Sequence, residues 1–580
     1  MNVNSYSKFF TFFILLLIFI ACSWNLFSLE IYQVHDISHS ARIAEMSKAI
    51  SDGHIPVRWT QNFGRGYGMP VFEFYAPLPY YLGSLFYSIS GKMMLTIVLL
   101  FFIVNAFSVF GSYFLGRKLY GNLSGLLVSA AFSLAPYRAS DIFVRGALSE
   151  LWGIMLMPWI LLFIIGIVDR KNKQYILDKY WIGLVMALFF LILSHNLTTM
   201  LFVPISIVFA LLYLISRDID NKKNALKKIY EFGSAYLLAF GLSSFYWLPI
   251  IFEIGYVKIQ VALVGYYHYA NHFIKPSQFV MDSWGYKMSN ISLENGISFF
   301  LGWGQLVALT LLVFIILSKF YKKYTKKNKK NSTIIEPFTD KSTTYYLLIL
   351  FIIIFLVSGF FSIDFSRFFW KLIPLLEYLQ FPWRFMMLVI LSLSLIVGYS
   401  ITLIKDRVWQ FIIFSLIMFF MFFNLPYFKF ISDDVIPWEY SCFEVECIQK
   451  KLTHIMNEYL PAGVKSYSML PEPETLFEDE WVINKTHKKV FEFGLEEESS
   501  ISLPVFAYQG WKTDLDGHPI DWNKDEFGRI SVLVPEGKHI LVIEFVNSPA
   551  RNIADTTCLV SIIIFLFLLI RKSISLKKEI

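Results

Sequence analysis

The sequence predicts an α-helical polytopic membrane protein of about twelve spans, with a small β-sandwich domain on its outer face. Three observations lead there. Apolar residues come in blocks of roughly 17 to 22, enough to cross a hydrocarbon core about 30 Å thick. Charged residues make up only 16% of the 580, against about 25% in an ordinary soluble domain. Late in the chain the pattern changes to strand-like alternation broken by turn residues.

Spans are expected near 9–29, 93–116, 122–136, 151–169, 181–195, 198–216, 230–252, 299–318, 345–361, 385–404, 411–424 and 553–570. Tyr and Trp collect near the block ends, as in interfacial belts. Of the 51 Lys and Arg, 26 fall in about 79 connecting positions on the side of the N-terminus, and 13 fall in about 145 on the other. That asymmetry places both termini in the cytoplasm, and the basic runs read as topology signals and lipid contacts rather than a nucleic-acid site. The first block, with Lys8 before it and small residues around Ala21, could be read as a signal peptide. The outer loop behind it and the span parity favour a retained anchor.

Three units follow: a transmembrane domain at 1–424, an acidic outer domain at 425–552, and a final span with a basic tail at 553–580. The outer domain holds 22 acids against 12 Lys and Arg. Its strand-like runs KVFEFGL, SISLPVFAY, GRISVLV and HILVIEFV are separated by turn signals such as Asp516-Gly517. It reads either as a lid or docking platform or as a passive stabiliser. Cys442 and Cys447 could form a local disulfide in an oxidising compartment, or remain reduced.

The chemistry concentrates between Tyr32 and Tyr81. Asp36 lies between His35 and His39 where the chain leaves the bilayer. Apolar residues at Ile43, Met46, Ala49 and Ile50 suit a helix lying in the interface, with Arg42 beside Asp36. A carboxylate there can serve as general base and an arginine can neutralise a phosphate; Asp36 could equally be the N-cap of that helix. Arg58, Glu73 and Tyr75 follow in the Gly- and Pro-rich part of the loop. Other outer segments add Asp141, Arg145 and Glu150, then His195 between two spans, and Arg384 before the tenth. His195, like any lone histidine at a span end, also suits a structural role. Together these are the candidate groups for a phosphate-bearing lipid and a polar co-substrate. The other long outer segments, 137–150, 253–298 and 362–384, are expected to fold with the first loop as one cap.

His35, His39, Glu73 and Asp141 are ligand types that a divalent ion accepts, but no spacing approaches a zinc pattern such as HExxH. A metal is left open. No GxxxxGK[ST] loop occurs, which argues against an ATP-driven pump in this chain.

The runs HDISHSARI, GHIPVRW, GYGMPVFEFYAPLPYYL and EYLQFPWRF resemble a family of bacterial multispanning proteins, the 6-pyruvoyl-tetrahydropterin synthase-related membrane proteins. The stretch YQGWKTDLDGHPI through PEGKHILVIEFVNSP and the final span resembles the end of YfhO-type membrane proteins. Both groups resemble the GT-C superfamily of membrane glycosyltransferases. That resemblance implies an outer catalytic face, an acid in the first outer loop as base, here Asp36, and a polyprenyl-phosphate sugar donor. The paired acids usual in that superfamily are replaced here by His35-Asp36 and His39. The pterin label finds no His cluster of its own.

The leading expectation is therefore a transferase in the bacterial inner membrane, moving a sugar from a polyprenyl-phosphate donor to an envelope glycan or lipid. Asp36 is its base, and His35, His39, Arg42, Arg58, Glu73, Tyr75, Asp141, Arg145, Glu150, His195 and Arg384 line its substrate site. The alternatives are a lipid or glycan transporter, which would need broken helices near the midplane, and a non-catalytic assembly factor docking through the outer domain.

Overall fold

The computed structural model describes residues 3–29, 34–36, 38–170, 177–218, 221–289, 296–327, 343–430, 456–465 and 481–578. Each of the twelve expected spans falls on a helix. Eight of these are long and apolar enough to cross a membrane. Three more, Asn122–Ser133, Lys179–Ser194 and Trp303–Ser318, are shorter. The remaining span is broken: Lys222–Leu242 and Ser244–Tyr256 meet at 73°. Its break falls at a serine pair, a common kink site. Ser243 donates back to Ala239 O, and Ser244 turns outward to Ala554 O of the final helix at 2.8 Å.

Two spans form the centre of the bundle. Most residues of Leu148–Asp169 and Pro382–Leu403 are buried within the protein, whereas few of the final span Pro549–Lys572 are. The outer ends of the two central spans carry Glu150 and Arg384. Proline starts the neighbouring helical turns at Pro136 and Pro382, where a missing N–H costs nothing and φ is already helical.

The outer segments do associate as a cap. Ile274 N bonds to Ser362 O, and Gln380 reaches Ala262 O at 2.8 Å. The helix expected in the first outer loop is present as His39–Ser51, but it is not an interfacial helix. Its apolar face packs on Leu78–Ser90, where Gly83 is needed: a Cβ there would lie 2.9 Å from Ile43. Its polar face is covered as well. Glu45 accepts from Asn62 N at 2.9 Å, and Asp52 accepts from Thr486 of the outer domain.

The outer domain has two antiparallel sheets. One runs in the order β1-β2-β8-β4-β5 and the other β3-β7-β6, from β1 (Trp481–Asn484), β2 (Lys488–Leu495), β3 (Ser499–Phe506), β4 (Trp511–Leu515), β5 (His518–Ile520), β6 (Asn523–Lys524), β7 (Arg529–Val534) and β8 (Gly537–Phe545). The Asp516-Gly517 turn joins β4 to β5 with both residues at positive φ, as a type I′ hairpin requires. The domain is held to the first outer loop by aromatic rings. Trp59 lies 5.4 Å from Trp511 and 5.5 Å from Phe545, and Gly68 leaves the space that the Trp59 indole fills. Cys442 and Cys447, with their proposed pairing, fall outside the described residues.

Candidate functional site

The site is assembled where the start of the first outer loop runs beside the second. His35 N donates to Val144 O at 3.0 Å, and Asp36 N donates to Arg145 O at 2.9 Å. The approach is close because Gly146, at φ +63°, has no side chain: a Cβ would sit 2.7 Å from Val34.

Asp36 is not a helix cap. Its Oδ1 accepts from Ser38 N and Oγ, at 3.3 and 2.6 Å, and its Oδ2 meets Arg42 at 3.1 Å and His39 at 3.7 Å. Its side chain keeps 28% exposure. Burial raises the carboxyl's proton affinity, but the Arg42 guanidinium and the Ser38 hydroxyl outweigh it, and Asp36 is held well below the usual carboxylate range. Arg42 is buried. It donates to Tyr80 at 2.9 Å, Tyr75 at 3.2 Å and the Met456 sulfur at 3.3 Å, and it lies 4.1 Å above the Tyr75 ring. One terminal nitrogen of its guanidinium has no hydrogen-bond partner among the described residues. Burial keeps His39 neutral. Its Nε2–H donates to Gly146 O at 2.5 Å, so its Nδ1 accepts from Tyr80.

On the other side of Gly146, Arg145 bridges Asp141 and Glu150, the latter at 2.9 Å, and stacks 4.3 Å over Trp383. Glu150 also accepts from Tyr137 at 2.9 Å and lies 3.4 Å from Arg384. Burial pushes the Asp141 carboxyl up to about 7 in spite of Arg145. His195, bonded to Thr198 at 2.7 Å, lies within electrostatic reach of Glu150, Arg384 and Arg145. Burial lowers it to about 3, so it is neutral.

Of the twelve residues expected at the site, ten belong to these two adjoining groups. Arg58 and Glu73 do not. Arg58 pairs with Asp555 at 2.5 Å, and Glu73 pairs with Arg551 at 3.0 Å. Arg551 also holds Glu253 at 2.7 Å. These residues form a separate, buried polar centre between the first outer loop, the outer domain and the final helix. Arg551 is fully buried and its charge is met there by Glu73 and Glu253, which draws Glu73 away from the Asp36 group, while Asp555 of the same helix takes Arg58. Three other groups of the site lay outside the sequence reading: Tyr80, Tyr137 and Glu458. Tyr80 lies in the run GYGMPVFEFYAPLPYYL and Tyr137 opens the segment 137–150, where only their proximity to Arg42 and Glu150 marks them. Glu458 reaches the Asp36–Arg42 group from the outer domain and is within electrostatic range of both. No three His, Cys, Asp or Glu among the described residues gather in a way that would hold a metal ion.

The fold and the site define a multi-pass membrane protein with a dense cluster of paired charges beneath an outer cap. The chain belongs to the family described as "6-pyruvoyl-tetrahydropterin synthase related domain; membrane protein", whose profile matches residues 72–431. That span contains Asp141, Arg145, Glu150, His195 and Arg384, but not Asp36, Arg42 or the β-sheets. An uncharacterised protein of Lactococcus lactis subsp. cremoris (strain MG1363) is 28% identical over 222 residues, 36% of this chain and 34% of the relative. The match thus spans about a third of that relative's length. Among solved structures, an oligosaccharyltransferase from Archaeoglobus fulgidus is similar with a TM-score of 0.45 and 12% identity, over 75% of this chain and 57% of the other. ArnT from Cupriavidus metallidurans bound to undecaprenyl phosphate gives 0.36 and 13%, over 71% and 63%. The mycobacterial arabinofuranosyltransferase AftD gives 0.41 and 11%, over 76% and 29%.

Proposed function

We propose that this protein is a membrane glycosyltransferase. It moves a sugar from a polyprenyl-phosphate donor to a cell-envelope glycan or lipid on the outer face of the bacterial cytoplasmic membrane, with both termini inside. In this reading residues 1–424 hold the donor, the outer domain at 425–552 closes over it, and 553–580 anchors that domain. The observation that carries the proposal is the state of Arg42. It is a buried guanidinium oriented by Asp36 and two tyrosines, with one nitrogen uncommitted, beside a carboxylate that keeps some exposure. A phosphate leaving from a sugar needs such a pre-oriented donor, because its charge develops in the transition state. Asp36, anionic and paired, supplies negative charge next to a sugar carbon that becomes positive. Arg145, Glu150, Arg384 and His195 form the adjoining wall of the sugar pocket.

The broken span is the one feature a transporter would require. The acid at its outer end, Glu253, is already bonded to Arg551 and Ser548, however, so it offers no free charge to a cargo. The test is transfer from undecaprenyl-phosphate-linked sugars by purified protein in nanodiscs. Asp36→Asn should abolish transfer while the protein expresses and folds normally; unimpaired transfer by this variant would remove Asp36 from the mechanism.

A further inference from the structure

We infer that Glu458, delivered from the outer domain, is the group that accepts the acceptor's proton, while Asp36 stays paired with Arg42. The inference rests on the glycosyl-transfer reading above.

Glu458 sits on a short strap, residues 456–465, that packs against the Asp36–Arg42 group. The strap is fixed at several points. Met456 brings its sulfur to 3.3 Å from Arg42 Nε. The Tyr459 ring lies parallel to Phe74 at 6.2 Å and edge-on to Tyr75 at 6.3 Å. Leu460 O accepts from Lys258 N at 2.9 Å, and Ala462 N donates to Tyr256 O at 2.9 Å. Met456 takes up φ +68°, a left-handed conformation that a non-glycine residue adopts only where its surroundings enforce it. The turn Asn457–Tyr459 that carries Glu458 follows at once.

The charged and titratable groups around Glu458 come from three elements. Asp36 and Arg42 come from the first outer loop, Tyr267 from the third outer segment, and Tyr459 from the strap itself. These groups divide the two acids by role. Asp36 is committed to Arg42 and Ser38 and has little affinity for a proton. Glu458 is half-buried and has no arginine bonded to it among the described residues. Burial, with Asp36 close by, raises its carboxyl above the ordinary range against the pull of Arg42. A general base works best with a proton affinity near the operating pH, and of the two acids only Glu458 is placed in that direction.

The step balances without a further reactant. The acceptor O–H bond breaks and its proton passes to the Glu458 carboxylate. The acceptor oxygen bonds to the anomeric carbon as that carbon's bond to the phosphate oxygen breaks. The bonding pair leaves on the lipid phosphate, where Arg42 meets it.

The experiment compares wild type, Glu458→Gln, Glu458→Asp and Asp36→Asn in nanodiscs. The donors are undecaprenyl-phosphate-linked glucose, mannose and arabinose, with octyl glucoside as the acceptor hydroxyl. Rates are followed between pH 4.5 and 9, and undecaprenyl phosphate binding is measured separately. Glu458→Gln should bind undecaprenyl phosphate as wild type does, lower kcat by about 10²–10⁴-fold, the range for a lost general base, and lose the acidic limb of the pH profile. Glu458→Asp should recover part of the rate and keep that limb, which a merely structural role would not produce. If Glu458→Gln stays within tenfold of wild type and keeps the acidic limb, the assignment is overturned. If the wild type binds undecaprenyl phosphate but turns over none of the donors, the transferase reading falls, and this assignment with it.

Discussion

Replacing Arg551 by methionine would test whether the outer domain is locked to the membrane bundle by charge. Arg551 is fully buried, with carboxylates of Glu73 and Glu253 at 3.0 and 2.7 Å. Its guanidinium also lies 4.6 Å from the Phe545 ring and 5.5 Å from Tyr508, so a methionine of similar length would keep the packing and lose only the charge. Removing one partner from a buried ion pair typically costs about 3–5 kcal/mol, because the remaining charge stays desolvated. The cost should depend on pH. Burial and the adjacent Glu253 already push the Glu73 carboxyl well above the usual range, with Arg551 opposing them. A carboxyl raised in the folded state binds its proton more tightly folded than unfolded. It therefore favours folding at low pH, and that contribution is lost as pH rises above about 4.3, the unfolded value. Without Arg551 the Glu253 carboxyl, which that guanidinium helps to hold low, loses its charge partner and joins Glu73 in the loss, so Arg551→Met should be more destabilised at pH 8 than at pH 5.5. Equilibrium unfolding in mixed micelles at both pH values measures this, and adding Glu73→Gln to Arg551→Met should restore part of the stability. A deficit under about 1 kcal/mol, or one equal at both pH values, would refute the reasoning.

Gly146→Ala should destabilise the outer cap by about 2–5 kcal/mol, the sum of a left-handed alanine and an overpacked contact. Val34→Ala in the same protein should return only part of the steric cost, because the residue 34 Cβ still lies 2.9 Å from the added methyl, and a thermal-unfolding double-mutant cycle reads the coupling. Lys489, buried in β2 and lowered by burial to about 7, makes stability rise with pH between about 7 and about 10. The unfolded lysine holds a proton there that the folded one does not, so the slope reaches at most about 1.4 kcal/mol per pH unit. Lys489→Met should flatten that slope in the same unfolding assay.

The eight long spans were legible because eighteen or more predominantly apolar residues have few other uses. The alternation in β2, β7 and β8 and the Asp516-Gly517 turn were legible for the same kind of reason, since each is a local pattern with a local cause. The break at Ser243–Ser244 was hidden inside a continuous apolar run, because hydrophobicity says nothing of which backbone carbonyls a serine will take. Asp36 and Arg42 are near neighbours in sequence, and their pairing could be read from spacing. Glu73 looks no different from them in the same loop, yet it belongs to Arg551. Composition cannot say which carboxylate a buried arginine from the far end of the chain will recruit. Glu458 was overlooked for the same reason: among many acids in an acidic domain, only the strap's path singles it out.

The final helix has little protein around it within the membrane, but its outer end is clamped by Arg551 and by the Arg58–Asp555 pair. It is a rod in lipid with one end welded. A bilayer thicker or thinner than its apolar length must tilt it or move its ends. The welded end gives way least, so the tilt or shift falls on the other end of the helix, while the contacts at Arg551 and Arg58 keep the outer domain in register with the bundle.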